Sequence, residues 1–139
     1  MNDDEDALTQ LCRQYVHRGQ CPRMMNMEKV YGRKQYVNDV AREYGYPINL
    51  EFGGHGVGHI MHGDPHVPND GRAHHGYKLR EGLVIAIEPW FLKTTDEIFQ
   101  DPKDGWTLRA SDGSRGAHSE HTIAITENGP IVFTDRTNL

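Results

Sequence analysis

The sequence predicts an α+β domain in which two helices pack on a curved, mostly antiparallel sheet. Apolar residues repeat at helical spacing before Pro47 and alternate with polar residues after it. The nearly continuous apolar run 83–90 is typical of a strand buried on both faces. With 139 residues, the chain is long enough for one hydrophobic core, and we predict a single domain over 1–139.

The first third of the chain contains the two predicted helices. The first covers about 4–18, begins with an acidic turn that suits the helix dipole, and repeats apolar residues at intervals of three and four. The second covers about 27–44 and ends at Gly45, followed by Tyr46 and Pro47. Both helices have one apolar face, which we expect to cover the sheet.

The predicted strands follow Pro47. Alternation over 48–52 predicts a short strand, which leads into a glycine-rich loop at 53–58. The segment 65–79 is rich in Pro, Gly, Asn, Asp and His, and we expect a loop there. The run 83–90 is then the main buried strand.

The last third of the chain should be turns and a terminal hairpin. We expect 91–107 to be irregular, with turns at Asp104-Gly105 and Asp112-Gly113. A strand over 118–126, a turn at Asn128-Gly129 and a strand over 131–134 form the predicted hairpin.

Two glutamates lie where a core strand would normally have no charge. Glu88 ends the apolar run, and Glu120 directly precedes the strand-like residues 121–125. Because burying an unpaired carboxylate is costly, a cation is expected beside each of them. His55, in the glycine-rich segment, is a third candidate ligand, and one histidine with two carboxylates indicates a hard-to-borderline divalent metal.

The spacing of His55, His59 and His62 also invites a helical zinc-peptidase motif. We reject it because the four nearby glycines would each cost about 1 kcal/mol inside a helix. A loop whose backbone approaches a ligand closely fits better. For any one of these histidines alone, a surface or core position is the simpler interpretation, and only the two glutamates favour a metal site.

Other histidines receive different assignments. His118 lies two residues before Glu120 on the same strand face, so we expect it to contact a ligand from outside rather than the metal. His121 follows Glu120 and should point to the opposite face. We expect the remaining four to be on loop surfaces: His59, His66, His74 and His75.

Composition excludes several classes of partner. The net charge is −5 and no block of basic residues is present, so nucleic acid is not the expected partner. Cys12 and Cys21 lack metal-binding or redox spacing, and we expect Cys12 to be a buried free thiol on the apolar face of the predicted first helix. With no apolar run of about 20 residues and an acidic start, we expect a cytoplasmic chain without a membrane span.

Five motifs in sequential order resemble the type I methionine aminopeptidases, whose fold is called the pita-bread fold. The likeness runs from about residue 4 to 134 and corresponds to the C-terminal half of their catalytic domain. The motifs are Gly54-His55-Gly56-Val57-Gly58, Met61-His62-Gly63-Asp64-Pro65, Leu83-Val84-Ile85-Ala86-Ile87-Glu88-Pro89, Asp104-Gly105-Trp106-Thr107 and Ser119-Glu120-His121-Thr122.

The resemblance implies metal ligands at His55, Glu88 and Glu120, with Glu120 bridging two divalent ions drawn from Co, Mn, Fe, Zn or Ni. His62 would contact the scissile amide and stabilise the tetrahedral intermediate. Two such ions can deliver a hydroxide and polarise a carbonyl.

The resemblance also implies a pocket for the substrate's methionine side chain. Met61 and Trp106 would lie beside this pocket, and His62 would contact the substrate. From the sequence alone, Trp106 is equally well explained by core packing.

The resemblance further implies that half of the site is missing. The preceding half of the family supplies two aspartate ligands, a histidine near the substrate and part of the methionine pocket. The aspartates present here, such as Asp64, Asp96 and Asp112, lie in loops without the family's aspartate motif.

We therefore expect a metal-dependent hydrolase that removes the N-terminal methionine of nascent proteins and peptides. A missing first half or self-association would supply the partner surface. The alternatives are an inactive pita-bread binding module and a truncated product.

Overall fold

A computed structural model describes residues 38, 41–70 and 77–135, which form mostly antiparallel sheet with very little helix. The strands are β1 (Gly54–Gly56), β2 (Gly63–Val67), β3 (Val84–Ile87), β4 (Trp90–Leu92), β5 (Ile98–Gln100), β6 (Leu108–Ala110), β7 (Gly116–His118), β8 (His121–Thr126) and β9 (Gly129–Val132). The main sheet has five strands in the order β2-β1-β3-β8-β9, and β4 pairs with β7 and β5 with β6. All strand pairs are antiparallel, as predicted.

The predicted helix at 4–18 lies outside the described residues, as does most of the one at 27–44. The described end of the second helix, 41–43, stops where the sequence predicts. Gly45 has a φ of 72°, its N–H donates to the Arg42 carbonyl at 3.0 Å, and the Tyr46 N–H donates to the Ala41 carbonyl at 2.9 Å. This pair of bonds is the usual glycine-dependent helix cap.

The predicted strand at 48–52 is wrong. Only Ile48 pairs, through an isolated bridge to Phe91. The side chain of Asn49 explains why the strand stops, because its Oδ1 accepts the N–H groups of Glu51 at 3.1 Å and Phe52 at 2.6 Å. Such a local bond satisfies the backbone in a turn and competes with sheet pairing.

The glycine-rich segment is partly strand rather than loop. Gly54 and Gly56 lie in β1, between β2 and β3. A Cβ on Gly54 would collide with the carbonyl oxygen of Ala86, and one on Gly56 with that of Asp64. Close backbone approach is therefore the reason for glycine, as expected, but the approaching group is the neighbouring strand.

Two other predicted irregular segments contain strands. Residues 65–67 belong to β2, and the segment 91–107 includes β5, which pairs with β6. β5 is largely exposed and only three residues long, so it has too little periodicity to be recognised. The turn at Asp104-Gly105 is confirmed by a φ of 64° at Gly105.

β3 and β8 lie in the middle of the sheet, and β3 confirms the first part of the predicted strand 83–90, which breaks at Glu88-Pro89 before Trp90 begins β4 in another sheet. The register of β3 with β8 runs from Val84 opposite Ala124 to Ile87 opposite His121. A terminal hairpin is present, with Gly129 at a φ of 109°, but it pairs 121–126 with 129–132 around a turn at 127–128, and His118 belongs to β7 instead. The core cluster consists of Ala41, Ile48, Ile85, Phe91, Ile123 and Ile125.

The pairing of β4 with β7 continues the register of β3 with β8. Trp90 lies opposite His118 in the first pair, and Ile87 lies opposite His121 in the second. Glu88 and Glu120 therefore lie opposite each other at the junction between the two ladders. Among the described helical residues, none forms a helix long and apolar enough to cross a membrane.

Candidate metal centre

The junction between the two ladders brings two carboxylates face to face. Glu88 follows β3 and Glu120 precedes β8, so residues directly opposite each other at this point would have Cβ atoms about 4.5 to 5.5 Å apart. Pro89 is fully buried beside Glu88 and has no N–H to donate, which explains a break in the ladder here. Like charges in directly opposite positions destabilise a sheet, so this arrangement favours a cation between them.

Distances among the donor atoms fit such a cation. One oxygen from each of Glu88 and Glu120 and one ring nitrogen of His118 all lie within 4.8 Å of one another. Two donors bound to the same ion at about 2.0 to 2.2 Å are at most about 4.4 Å apart. Small side-chain movements would therefore suffice to bring all three onto one ion.

The Glu88 carboxylate lies between two imidazoles. Its Oε1 is 3.5 Å from His55 Nε2, and its Oε2 is 3.3 Å from His118 Nε2. Trp90 also donates its indole N–H to Oε2 at 3.2 Å.

These neighbours determine the ionisation of Glu88. Partial burial acts to raise the pKa of Glu88, but hydrogen bonds from His118 and Trp90 and the positive charge of the two imidazoles outweigh it, so the pKa lies below its ordinary value. The carboxylate is thus ionised near neutral pH, as a metal ligand must be.

His55 is oriented as a ligand by its own strand. Its Nδ1 lies 3.0 Å from the carbonyl oxygen of Gly56. A carbonyl only accepts, so Nδ1 carries the hydrogen of this bond, and Nε2, which faces Glu88, is the ring nitrogen available to an ion. Metal-binding histidines are commonly fixed in this way by a bond from the other ring nitrogen.

His118, which the sequence places two residues before Glu120, has its Nε2 3.3 Å from Glu88 Oε2. The structure adds that its ring stacks on Trp90, with centroids 4.1 Å apart and planes at 19°. One of its ring nitrogens also lies within 4.8 Å of an oxygen of Glu88 and an oxygen of Glu120. The sequence reasoning missed Trp90, although its position two residues after Glu88 on the same strand face was a usable signal.

The candidate substrate residues lie at the surface. The ring of His62 makes an edge contact with the ring of His55, with centroids 4.5 Å apart, and its side chain is exposed. Met61 and Trp106 are exposed by 68% and 84%. The structure thus brings His62 to the ligand group and leaves Met61 and Trp106 open to a substrate or partner.

The other histidines follow the expectations where the structure describes them. His121 is buried on the face away from Glu120, and its Nδ1 lies 2.7 Å from Thr134 Oγ1. His59 and His66 are exposed, although His66 lies in β2 rather than in a loop. His74 and His75 lie outside the described residues.

Taken together, the donors suit a divalent ion of the borderline class. Two carboxylates and an imidazole are available within bonding range, and a second imidazole is on the other side of Glu88. Such mixed nitrogen and oxygen sites bind first-row transition ions and zinc.

Solved structures show the same fold in longer proteins. The methionine aminopeptidase of Thermotoga maritima superposes with a TM-score of 0.86 at 32% identity, over 98% of this chain and 54% of that one. The prolidase of Pyrococcus furiosus, at 23% identity and a TM-score of 0.57, shares the fold over 33% of its chain. The predicted pita-bread fold is confirmed by these neighbours.

Sequence relatives agree with the structural ones. The methionine aminopeptidase of Aquifex aeolicus is 43% identical over 110 residues, which are 78% of this chain and 42% of that protein. Methionine aminopeptidase 1 of Bacillus subtilis is 31% identical over 134 residues, which are 96% of this chain and 53% of that protein. The chain thus spans about half the length of these relatives. The model of metallopeptidase family M24 matches residues 26–127, and the opposed glutamates with their imidazoles lie within that match, so the chain belongs to this family.

Proposed function

We propose that this chain is the C-terminal half of a metal-dependent aminopeptidase that removes N-terminal methionine. The observation that carries the proposal is that an oxygen of Glu88, an oxygen of Glu120 and a ring nitrogen of His118 lie within 4.8 Å of one another at the break between two strand pairs. A protein that only bound a partner would gain nothing from two facing carboxylates. The chain's methionine aminopeptidase relatives support the substrate.

In this proposal each candidate site residue has a role that follows from its position. His55, Glu88 and Glu120 would hold the metal, which supplies a Lewis acid and a water of lowered pKa. His62 is exposed and in contact with the ring of His55, where it can donate a hydrogen bond to a carbonyl oxygen that gains charge. The exposed Met61 and Trp106 would line the methionine pocket.

The half-length match limits what this chain does alone. In the proposal, the first half of the fold supplies two aspartate ligands, so a pair of ions needs both halves. With its own ligands, this chain should bind one divalent ion weakly, because the two negative charges of Glu88 and Glu120 balance the charge of a single divalent ion. The first half, or a second copy of this chain, is the proposed partner, and a cytoplasmic site of action remains a prediction.

Calorimetric titration of the 139-residue chain with Mn²⁺ or Co²⁺ tests the metal site. We expect at most one site, and Glu120→Ala should weaken it because one of the opposed carboxylates is lost. Glu81→Ala, at an exposed glutamate, is the matched control and should leave binding unchanged. Tight binding of two ions, or equal binding by the Glu120 variant, would contradict the proposal.

An inactive binding module is the second candidate. Its support is the exposure of Met61 and Trp106 on a chain that lacks half of the family's length. Mixing this chain with a first half from a relative separates the two candidates. Recovery of methionyl-peptide hydrolysis that depends on Glu88 indicates the enzyme, and a stable but inert complex indicates the module.

A further inference from the structure

We propose that His118 is itself a metal ligand, so that Glu88, His118 and Glu120 form a three-donor site built entirely from this half of the fold. The inference rests on the proposed metal site. It changes the expected role of His118 from a support for Glu88 to a donor bound to the ion.

The first argument is position. Glu88 and Trp90 are two residues apart on one side of the junction, and His118 and Glu120 are two residues apart on the other. The register sets Trp90 opposite His118, and both contact Glu88 Oε2, the first through its indole N–H and the second through Nε2. A Glu120 oxygen lies within 4.8 Å of a Glu88 oxygen and a His118 ring nitrogen. The ring of His118 is thus held near both carboxylates.

The second argument is distance. His118 Nε2 is 3.3 Å from Glu88 Oε2, and a ring nitrogen, a Glu88 oxygen and a Glu120 oxygen are mutually within 4.8 Å. Among the described residues, these three donors form the group close enough together to hold one metal ion, and His55 does not belong to it. His55 instead faces the other oxygen of Glu88.

Third, Glu88 Oε2 would keep a hydrogen-bond donor if His118 bound an ion. Trp90 already donates its indole N–H to Glu88 Oε2 at 3.2 Å, so this oxygen has a fixed neutral donor. His118 approaches the same atom. If His118 lost its Nε2 hydrogen and bound an ion, the hydrogen bond from Trp90 to Glu88 Oε2 would remain.

The fourth argument is that the ring is already oriented. Stacking on Trp90 holds the plane of His118, and Trp90 in turn contacts Phe52, with ring centroids 5.8 Å apart. The His118 side chain is 37% exposed, which leaves an open side for an ion and its water ligands. Three protein donors with open positions are the pattern of catalytic rather than structural metal sites.

A direct test uses Cu²⁺ at less than one equivalent on the 139-residue chain and pulsed electron paramagnetic resonance. An imidazole bound to Cu²⁺ produces a characteristic modulation from its remote nitrogen. In the His55→Gln variant this modulation should persist, and it should decrease strongly when His118→Gln is added. An unchanged modulation after the second substitution would overturn the inference.

Affinity gives an independent measurement. In Co²⁺ calorimetry, His118→Gln should weaken binding by more than about 100-fold, because loss of an outer hydrogen-bond partner costs only about 10- to 100-fold. His59→Gln, at an exposed histidine, is the matched control and should bind as the unaltered chain does. Circular dichroism checks that each variant keeps its strands.

The outcomes separate this inference from the proposed function. If Co²⁺ binding requires Glu88 and Glu120 but His118→Gln binds equally well, only the role of His118 is wrong. If the unaltered chain binds no Co²⁺, both the proposed metal site and the inference fail.

Discussion

At the residue scale, the site depends on a carboxylate that has a different partner on each oxygen. His55 faces Oε1 of Glu88, and His118 and Trp90 face Oε2. Since each partner comes from a different strand segment, the carboxylate cannot rotate without losing a contact. This fixed orientation is what a metal ligand needs, because binding then costs little side-chain entropy.

His62 is predicted to act on the reaction and not on metal content. In a complete enzyme that includes this half, His62→Ala should lower kcat by about 10²- to 10³-fold, as loss of one donor to a developing charge does. His59→Ala, at another exposed histidine of the same segment, is the control. Steady-state hydrolysis of methionyl peptides and metal analysis measure the two quantities. If metal content falls in step with kcat, His62 is a ligand instead.

At the element scale, β1 depends on Gly54 and Gly56 because the backbones of the neighbouring strands are too close for a side chain at either position. Gly54→Ala would drive a Cβ into the Ala86 carbonyl oxygen, a backbone atom that is fixed in β3. We expect the free energy of unfolding to fall by about 1 to 3 kcal/mol, the usual cost of overpacking.

Gly58→Ala is the control for this prediction, because a Cβ there meets nothing within 4 Å. Its effect should stay within about 0.5 kcal/mol. Urea denaturation of both variants provides the comparison. Equal stability of the two would show that β1 can move away from β3.

The turn between β5 and β6 should be sensitive to acid. The hydroxyl of Thr107, and then the N–H groups of Thr107 and Trp106, lower the pKa of Asp104 to about 2. Because the folded pKa is below the unfolded value, the ionised carboxylate stabilises the turn above about pH 4, and this stabilisation is lost as pH falls toward 2.

Carbon NMR of the Asp104 carboxyl through an acid titration should therefore show a midpoint near 2. Thr107→Val removes the strongest of these hydrogen bonds and should move the midpoint upward. Asp104→Asn should flatten the decline in stability between about pH 4 and 2 in urea denaturation. A midpoint at the ordinary aspartate value would show that the turn is open in solution.

Sequence reasoning succeeded for elements with strong periodicity or strong turn chemistry. The Gly45 cap, the buried segment of β3 and the presence of a terminal hairpin were predicted, whereas the break after Ile87 and the hairpin turn at 127–128 were not. It failed where a local contact overruled the pattern, as when Asn49 ended a strand that alternation predicts.

The candidate metal site was predicted only in part from the sequence. Charged residues at the ends of apolar runs identified Glu88 and Glu120. The continuous register that opposes them, and the stacking of His118 on Trp90, depend on pairing between distant segments, which no local pattern specifies.

At the scale of the whole molecule, the described sheet has exposed apolar residues near one edge. Among the described strands, β2 and β9 are at the edges, and Ile131 and Phe133 are 50% and 62% exposed at the β9 end. Unpaired edges and apolar surface of this kind favour association. We therefore predict that the chain pairs either with a first half or with a second copy of itself.

Light scattering with a hydrolysis assay tests this prediction. The chain alone should be a dimer with little or no activity on methionyl peptides when metal is added, because a second copy does not supply the aspartates. Ile131→Lys should shift the equilibrium toward monomer if the β9 edge takes part, and Lys103→Ala, at an exposed residue in the turn between β5 and β6, should not. A monomer with normal turnover would contradict both parts.

The facing glutamates at the junction of the two ladders also set a limit on engineering. Replacing Glu88 and Glu120 with an uncharged, β-branched pair would remove like-charge repulsion and extend cross-strand packing, so a selection for thermal resistance alone would favour their loss. The resulting variant would be more stable to heat and unable to bind an ion at the proposed site. Two acidic side chains at this break in the sheet therefore lower the stability of the chain, and a cation bound between them at the proposed site would offset that cost.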